Sequence, residues 1–237
     1  MSNNNFLGSI PPVTRHLILI NVFVWLVCYI LHFQGFEMSD YLGLHYVEAS
    51  DFNPAQIVTY MFLHDTSGFS HIFFNMFSLL MFGKILEELM GPKYFLIYYM
   101  VCGIGAGLVQ ECFMAYDLHP IVAGNYLSVN IGNGVIIPTK EFLNMSVAVG
   151  ASGAVFGVLL AFGFFLPNAP LYLFFIPVPI KAKYMVIGYA LLELFFGLSS
   201  TMPGVAHFAH LGGLLFGLLL IFYWRWKGII RKNDQNY

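Results

Sequence analysis

Six long apolar runs limit what this chain can fold into more than any other feature of its sequence. They extend over about His16 to Phe33, Phe69 to Leu89, Tyr94 to Met114, Ser146 to Leu166, Tyr184 to Leu198 and Ala206 to Trp226. A helix needs about 20 mostly apolar residues to cross the hydrocarbon core of a bilayer. Only 9% of the 237 residues are charged, whereas soluble domains carry about 25%. We therefore predict an all-α polytopic membrane protein, a compact bundle of six transmembrane helices in the lipid bilayer.

We place the membrane domain at residues 16–226, with a short segment on either side of it. Residues 1–15 and 227–237 are predicted to be short tails. A seventh apolar stretch, Leu171 to Ile180, is short and contains Pro177 and Pro179. Because proline interrupts a helix, this stretch is predicted to be a loop at the membrane interface.

The positions of the basic residues predict the orientation of the bundle. If the N-terminus is cytoplasmic, nine of the ten Lys and Arg residues fall on the cytoplasmic side and only Lys140 falls outside. Cytoplasmic loops of membrane proteins carry such an excess. Both termini are therefore predicted to be cytoplasmic.

Two long external loops follow from this orientation. The first, at about 34–68, is rich in aromatic residues and is predicted to lie in the bilayer interface. The second, at about 115–145, contains Gly124-Asn125 and Gly132-Asn133-Gly134. These residues predict turns around short extended pieces.

Composition also excludes some functions. The net charge is -2 and no basic surface is evident, so a nucleic-acid partner is not expected. The three cysteines, Cys28, Cys102 and Cys112, have no Cys-x-x-Cys spacing. This argues against a zinc knuckle or a redox pair.

Polar residues cluster near the start of the second, fourth and sixth apolar runs. His71 and Asn75 open the second run, Ser152 lies in the fourth, and His210 lies in the sixth. An even number of crossings separates these runs, so all three descend from the same membrane face. Ser152 and His210 are each expected about five or six residues inside their helices, a depth of about 8 Å. The three clusters are therefore expected to share one plane.

Small residues favour a close approach of the fourth and sixth helices. Gly153 and Gly157 form one Gly-x-x-x-Gly pair, and Gly213 and Gly217 form another. This spacing lets membrane helices pack tightly. His210 lies on the same helix face as the second pair, so a hydrogen bond between Ser152 and His210 is expected.

Each of these residues also has a plainer interpretation. A serine among small residues is common in helix packing, and Asn75 could hydrogen-bond a neighbouring helix. His71 could lie among lipid headgroups. Glu193, inside the fifth run, could orient a histidine, line an entry gate, or be a protonated carboxyl in helix packing. His207 could compete with His210 as a base.

The combined pattern resembles the rhomboid family of intramembrane serine proteases, over about Arg15 to Trp226. Gly150-Ala151-Ser152-Gly153 resembles the family's Gly-x-Ser-Gly motif, and Ala209-His210 with Gly213 and Gly217 resembles its Ala-His-x-x-Gly-x-x-x-Gly helix. His71 to Asn75 resembles its His-x-x-x-Asn motif. Phe62-Leu63-His64 resembles a segment that carries a structural histidine.

The resemblance implies a rhomboid-like bundle with a Ser-His dyad and no cofactor or metal. Ser152 would be the nucleophile and His210 the general base. The oxyanion would be held by the Ser152 N–H with Asn75 and His71. The substrates would be single-span membrane proteins that enter sideways and are cut near the outer face, after a small residue. A prokaryotic inner membrane is the expected location.

Two departures from the family pattern matter. Glu87-Glu88-Leu89 lacks the arginine of a common Glu-x-Arg brace, so the brace is expected to be absent or replaced by Lys84 or Lys93. Phe156 stands where many members have a tyrosine that stacks on the catalytic histidine, and it can stack but not hydrogen-bond.

Three other functions remain as alternatives. A metalloprotease would recruit His64, His71, His207 and His210 to zinc, although the chain has no His-Glu-x-x-His motif. A non-catalytic relative would bind membrane helices for quality control or trafficking, and such relatives usually lack the serine or the histidine. A channel or transporter would carry a flux that survives loss of Ser152.

Overall fold

The computed structural model describes residues 6–172, 178–199 and 205–230 of the chain. The α-helices are α1 (Pro12–His32), α2 (Ser39–Leu42), α3 (Gln56–Thr59), α4 (Ser70–Ser78), α5 (Lys84–Met90), α6 (Pro92–Ala123), α7 (Thr139–Asn144), α8 (Ser152–Phe165), α9 (Ala182–Ser199) and α10 (His207–Trp226). Short 3-10 turns cover Phe6–Ser9 and Tyr60–Phe62, and a π-helical turn, Leu79–Gly83, joins α4 to α5.

The strands are short and form three antiparallel pairs within the described residues. They are β1 (Leu44–His45), β2 (Ser128–Asn130), β3 (Ile136–Pro138), β4 (Val147–Ala148), β5 (Pro170–Leu171) and β6 (Ile180–Lys181). β1 pairs with β4, β2 with β3, and β5 with β6. The β1–β4 pair connects the first long loop to the segment immediately before α8.

Each of the six predicted apolar runs coincides with helix in the structure. Among the described residues, α1, α6, α9 and α10 are long and apolar enough to cross a membrane. The fourth run forms α8, which is apolar but has only 14 residues. The second run is divided into α4 and α5 by the π-helical turn. Large apolar side chains such as Phe23, Leu191 and Phe195 are exposed, as is typical of surfaces that face lipid.

Helix boundaries differ from the prediction at two places. α6 continues to Ala123, past the expected end at Met114, because Leu118 is buried one turn further on. α8 begins at Ser152 and not at Ser146, because Val147–Ala148 pairs with β1 instead.

The predicted turns in the second long loop are confirmed. β2 and β3 form a hairpin whose turn contains Gly132, Asn133 and Gly134, all with positive φ. Asn125 also has a positive φ, two residues after the end of α6. The predicted interface loop at 171–180 falls partly outside the described residues, since 173–177 are not described.

The core is built where α6 packs against α8 and α10. The α6 side chains Phe95, Tyr98, Tyr99 and Cys102 are fully buried. The Tyr98 hydroxyl donates to the Gly157 carbonyl of α8 at 2.9 Å. This bond offsets the cost of burying the hydroxyl among helices.

The predicted glycine pairs do bring α8 and α10 together. A Cβ added to Gly213 would lie 1.9 Å from the Gly153 carbonyl oxygen. Gly157 and Gly217 are equally close to a third helix, because a Cβ on either would collide with Cys102 or Tyr98 of α6. The contribution of α6 to this packing was not predicted.

We expect Gly213→Ala to destabilise the bundle. The new methyl group meets a backbone oxygen that cannot move alone, and overpacking of this kind costs about 1–3 kcal/mol. The midpoint of unfolding in a detergent titration should therefore fall. Gly188→Ala is the matched control, because a Cβ at Gly188 meets nothing within 4 Å. Equal midpoints for the two variants would contradict the close contact.

A buried carboxylate ties the end of the second run to the start of the first. The side chain of Glu87 is 1% exposed and accepts the N–H groups of Val13 at 2.9 Å and Thr14 at 2.7 Å. Both N–H groups belong to the first turn of α1, where no intrahelical acceptor exists and the helix dipole favours a negative charge. Neither Lys84 nor Lys93 forms an ion pair with Glu87 in the described structure, so the proposed lysine brace is wrong.

Glu87→Ala should therefore lower the unfolding midpoint. The change leaves two buried N–H groups without an acceptor, and each costs about 1–3 kcal/mol. Glu88→Ala, at an exposed neighbouring position, removes the same charge from the same helix. If both variants unfold at the same detergent concentration, Glu87 does not cap α1 in solution.

Candidate active site

Ser152 is the first residue of α8 and follows a sharp turn at Gly150. Gly150 has a φ of 135°, a conformation that residues with a Cβ rarely adopt. Its N–H donates to the Tyr60 carbonyl at 3.0 Å, so the first long loop holds this turn in place. The predicted position of Ser152, several residues inside a helix, is therefore wrong. At a helix start its N–H has no intrahelical acceptor.

The structure brings Ser152 and His210 together. The distance between Ser152 Oγ and His210 Nε2 is 2.8 Å, which is a hydrogen bond. His210 lies in the first turn of α10 and is 8% exposed. The contact follows from the glycine packing of α8 on α10, as the sequence predicted.

Phe156 stacks on the imidazole of His210. Their ring centroids are 4.2 Å apart and the planes differ by 9°. Phe156 lies one turn after Ser152 on α8, so the same helix supplies the hydroxyl and the stacking surface. The predicted stacking is confirmed. It restricts the orientation of the imidazole ring that contacts Ser152.

His71 faces the same space from α4. The Asp65 N–H donates to His71 Nδ1 at 3.3 Å, so Nδ1 is the acceptor and we assign the proton to Nε2. A Cβ at Gly150 would lie 2.9 Å from His71 Nε2 and 3.5 Å from Ser152 Oγ. The space left by the missing Gly150 side chain is therefore bordered by an N–H donor and by the serine hydroxyl.

Asn75 lies one turn further along α4 and is buried. Its Nδ2 donates to the carbonyl oxygen of His71 at 3.0 Å. This bond uses one of the two amide N–H groups, so the second could donate to another acceptor. Asn75 does not line the cavity beside Ser152 in this conformation.

His64 and Asp65 support His71 from the loop before α4. The His64 ring meets the His71 ring edge-on, with centroids 5.0 Å apart. Burial, together with the nearby His71, lowers the pKa of His64 to about 3, so the ring is neutral at physiological pH. Burial raises the pKa of Asp65, but hydrogen bonds from Ser67 and nearby histidines outweigh this and hold that pKa below its ordinary value.

Glu193 of α9 contacts two histidines of α10. Its Oε2 lies 2.6 Å from His207 Nδ1, which is a hydrogen bond, and 3.0 Å from His210 Nδ1. The second contact lacks the alignment of a hydrogen bond and is an ion-pair contact. The Glu193 side chain is 13% exposed. The sequence indicated this cluster only through an acidic residue within an apolar run and a second histidine, His207, one turn before His210.

Among the described residues, these three are also the group whose ligand atoms could hold a metal ion. One ligand atom from each of Glu193, His207 and His210 lies within 4.8 Å of the others. The four histidines considered for a metalloprotease do not form such a set. His64 packs with His71, and His207 is beside His210.

The hydrogen-bonded pair of Ser152 and His210 opens into a cavity of about 830 Å³. A volume of this size accommodates a short extended peptide or a drug-sized molecule. The cavity walls come from the first long loop, the end of α6 and the segment before α8. Residues that line it include His64, His71, Gln110, Met114, Val147, Val149, Ser152 and His210.

Comparison with known proteins identifies the family of this chain. Residues 52–227 match the model of the Rhomboid domain. The chain is 28% identical to Rhomboid-like protein 11, chloroplastic, of Arabidopsis thaliana, over 86% of this chain and 62% of that protein. It is 29% identical to RHOMBOID-like protein 12, mitochondrial, of the same plant, over 85% of this chain and 55% of that protein.

A bacterial relative is similar to the same degree. The chain is 28% identical to Rhomboid protease AarA of Providencia stuartii, over 68% of this chain and 52% of that protein. The chain thus spans between 52% and 62% of the length of these three relatives. Because two of them carry organellar names, the expected prokaryotic inner membrane gains no support. The domain match and the apolar helices identify the protein as an integral, multi-pass membrane protein that belongs to the rhomboid family.

Proposed function

We propose that this protein is an intramembrane serine endopeptidase in which Ser152 and His210 form the catalytic dyad. The observation that carries the proposal is the 2.8 Å hydrogen bond between Ser152 Oγ and His210 Nε2 beside an open cavity. Membership of the rhomboid family supports a protease role for such a pair.

In the first half of the reaction, Ser152 Oγ attacks the carbonyl carbon of the scissile peptide bond. His210 Nε2 accepts the hydroxyl proton as the new C–O bond forms. When the C–N bond breaks, protonated His210 gives this proton to the leaving amine. The product is an acyl ester on Ser152 and a free amine.

In the second half of the reaction, water hydrolyses the acyl ester. A water molecule from the cavity attacks the ester while His210 takes its proton, and the proton then returns to Ser152 Oγ as the acid leaves. Phe156 keeps the imidazole in one plane through both halves, so His210 can serve as base and then as acid without reorienting.

The oxyanion is held in the space beside Gly150. The Nε2–H of His71 borders this space, and the backbone N–H of Ser152, which has no intrahelical acceptor at the helix start, is the second donor of the proposal. Donors aimed at a developing negative charge lower the barrier. The second amide N–H of Asn75 is the third donor, reached by a rotation of its side chain. The hydrogen bond from Asp65 to His71 Nδ1 keeps the Nε2 proton in place.

The substrate is a single-span membrane protein that reaches the cavity from the bilayer. In this proposal α1, the combined α4 and α5 segment, α6, α8, α9 and α10 are the six transmembrane helices, with both termini cytoplasmic. The site then lies near the outer face, where water can enter. The substrate helix unwinds locally, because the hydrogen bonds of a helix shield its carbonyl groups.

Loss of either dyad residue should abolish proteolysis. We expect Ser152→Ala and His210→Ala each to reduce cleavage of a single-span model substrate in liposomes by at least about 10³-fold, since nucleophile and base act as a unit. The experiment also separates the alternatives. A metalloprotease would be inhibited by chelators, and a non-catalytic binder would retain the substrate uncut. Cleavage that survives both substitutions would contradict the dyad.

Gly150→Ala should remove activity while the dyad remains intact. The methyl group would fill the space beside His71 Nε2, and the loss of an oxyanion donor costs about 10²- to 10³-fold in rate. Gly132→Ala is the matched control, because Gly132 also has a positive φ, of 106°, but faces open space. Equal activity of the two variants would show that the oxyanion does not bind beside Gly150.

A further inference from the structure

A carboxyl group on a third helix contacts the histidine of the Ser152–His210 pair. His210 Nε2 faces Ser152 Oγ at 2.8 Å, and the opposite ring nitrogen, Nδ1, faces Glu193 Oε2 at 3.0 Å. A general base that bonds a serine hydroxyl through one nitrogen needs its proton on the other nitrogen. A negative charge beside Nδ1 favours that tautomer and stabilises the imidazolium that forms when Ser152 attacks.

His207 holds this carboxyl in position. Its Nδ1 lies 2.6 Å from the same Oε2 atom, in a hydrogen bond. An ionised carboxylate only accepts hydrogen bonds, so His207 carries its proton on Nδ1. His207 and His210 are three residues apart and therefore point from the same side of α10 towards α9. Glu193 thus has one firm anchor and one contact that is purely electrostatic.

Burial strengthens the electrostatic interaction between the Glu193 carboxylate and His210. The side chains of His207, His210 and Glu193 are 7%, 10% and 13% exposed, respectively. Charges interact more strongly where water is excluded. Polar and ionisable residues within membrane helices are also costly and usually serve function. An apolar residue at this position would remove the charged contact of His210 Nδ1.

On the basis of the proposed function, we propose that Glu193 is a positioning residue that completes a Ser152–His210–Glu193 triad, with His207 as the anchor of its carboxylate. Glu193 touches no substrate and transfers no proton. It acts through His210, by keeping Nε2 free to accept the Ser152 proton and by stabilising the charge that the imidazole then carries. The triad joins α8, α9 and α10.

The test compares Glu193→Gln with the wild type in two reactions. The first is cleavage of the single-span model substrate, with kcat and KM measured separately. The second is the rate at which a fluorophosphonate labels Ser152, which reports activation of the hydroxyl without a bound substrate. Glutamine keeps the shape but removes the charge, so we expect kcat and the labelling rate to fall by about 10- to 100-fold, part of what a general base contributes. KM and the unfolding midpoint should change little.

Glu111→Gln is the matched control. It makes the same chemical change in α6, where the carboxyl accepts the Val47 N–H and contacts neither histidine. We expect this variant to label and cleave at the wild-type rate. If Glu111→Gln is slowed as much as Glu193→Gln, the effect is a general one of removing a carboxyl group from the bundle, and the triad is refuted.

A double-mutant cycle tests the anchor. His207→Phe keeps a ring but removes the N–H, and we expect a smaller loss of labelling rate than in Glu193→Gln. Because His207 acts only through Glu193, the double variant should be no slower than Glu193→Gln alone. Additive losses would refute the anchoring role.

The outcomes distinguish the two proposals. Wild-type rates in Glu193→Gln would overturn the triad and leave the dyad intact. A raised KM with a lowered unfolding midpoint, at unchanged labelling rate, would assign Glu193 to structure alone and also overturn the triad. Failure of the wild type to react at Ser152 would refute the proposed function, and the triad with it.

Discussion

The close contact between the backbones of α8 and α10 is the constraint on which the site depends. A hydrogen bond between a serine and a histidine on separate helices requires the two helices to pack closely, and small side chains at the contact shorten the distance between helix axes. Gly153 and Gly213 remove the side chains at the crossing point, so a carbonyl oxygen of one helix occupies the space of a missing methyl group on the other. The crossing lies directly beside Ser152 on α8, since Gly153 is the next residue, and about one turn from His210 on α10. A wider separation would leave the two reacting groups intact but out of reach.

Several polar side chains of the site have a hydrogen-bond partner, which offsets the cost of burying them in a membrane. His71 is held by the Asp65 N–H, Asn75 by the His71 carbonyl, and Glu193 by His207. Every partner comes from the chain itself, mostly from one end of the bundle. A polar group buried among the helices without a partner would destabilise the bundle. The polar residues of the site therefore stabilise one another.

Much of this arrangement could be predicted because membrane helices obey strict rules. The apolar runs place the helices, and the glycine spacing identifies the faces of α8 and α10 that touch. The start of α8 could not be predicted, since hydropathy does not register that Val147–Ala148 pairs with a distant strand and that Gly150 leaves the helical conformation. Likewise Glu87 caps α1 by accepting the N–H of Thr14, which lies 73 residues earlier in the chain. Such long-range pairings follow from the packed fold and have no local sequence pattern.

The π-helical turn at Leu79–Gly83 has a consequence for how the second apolar run is interpreted. A π turn holds one more residue than an α turn, so the helix beyond it is rotated by about 100° relative to a regular continuation. In an uninterrupted α-helix Asn75 and Glu87 would be about 120° apart around the axis, whereas with the extra residue they are only about 20° apart. This rotation turns both buried side chains towards the interior of the bundle. A homologous helix without the turn would need one residue fewer to present the same two faces, so an alignment of the two should contain a single-residue gap near position 81.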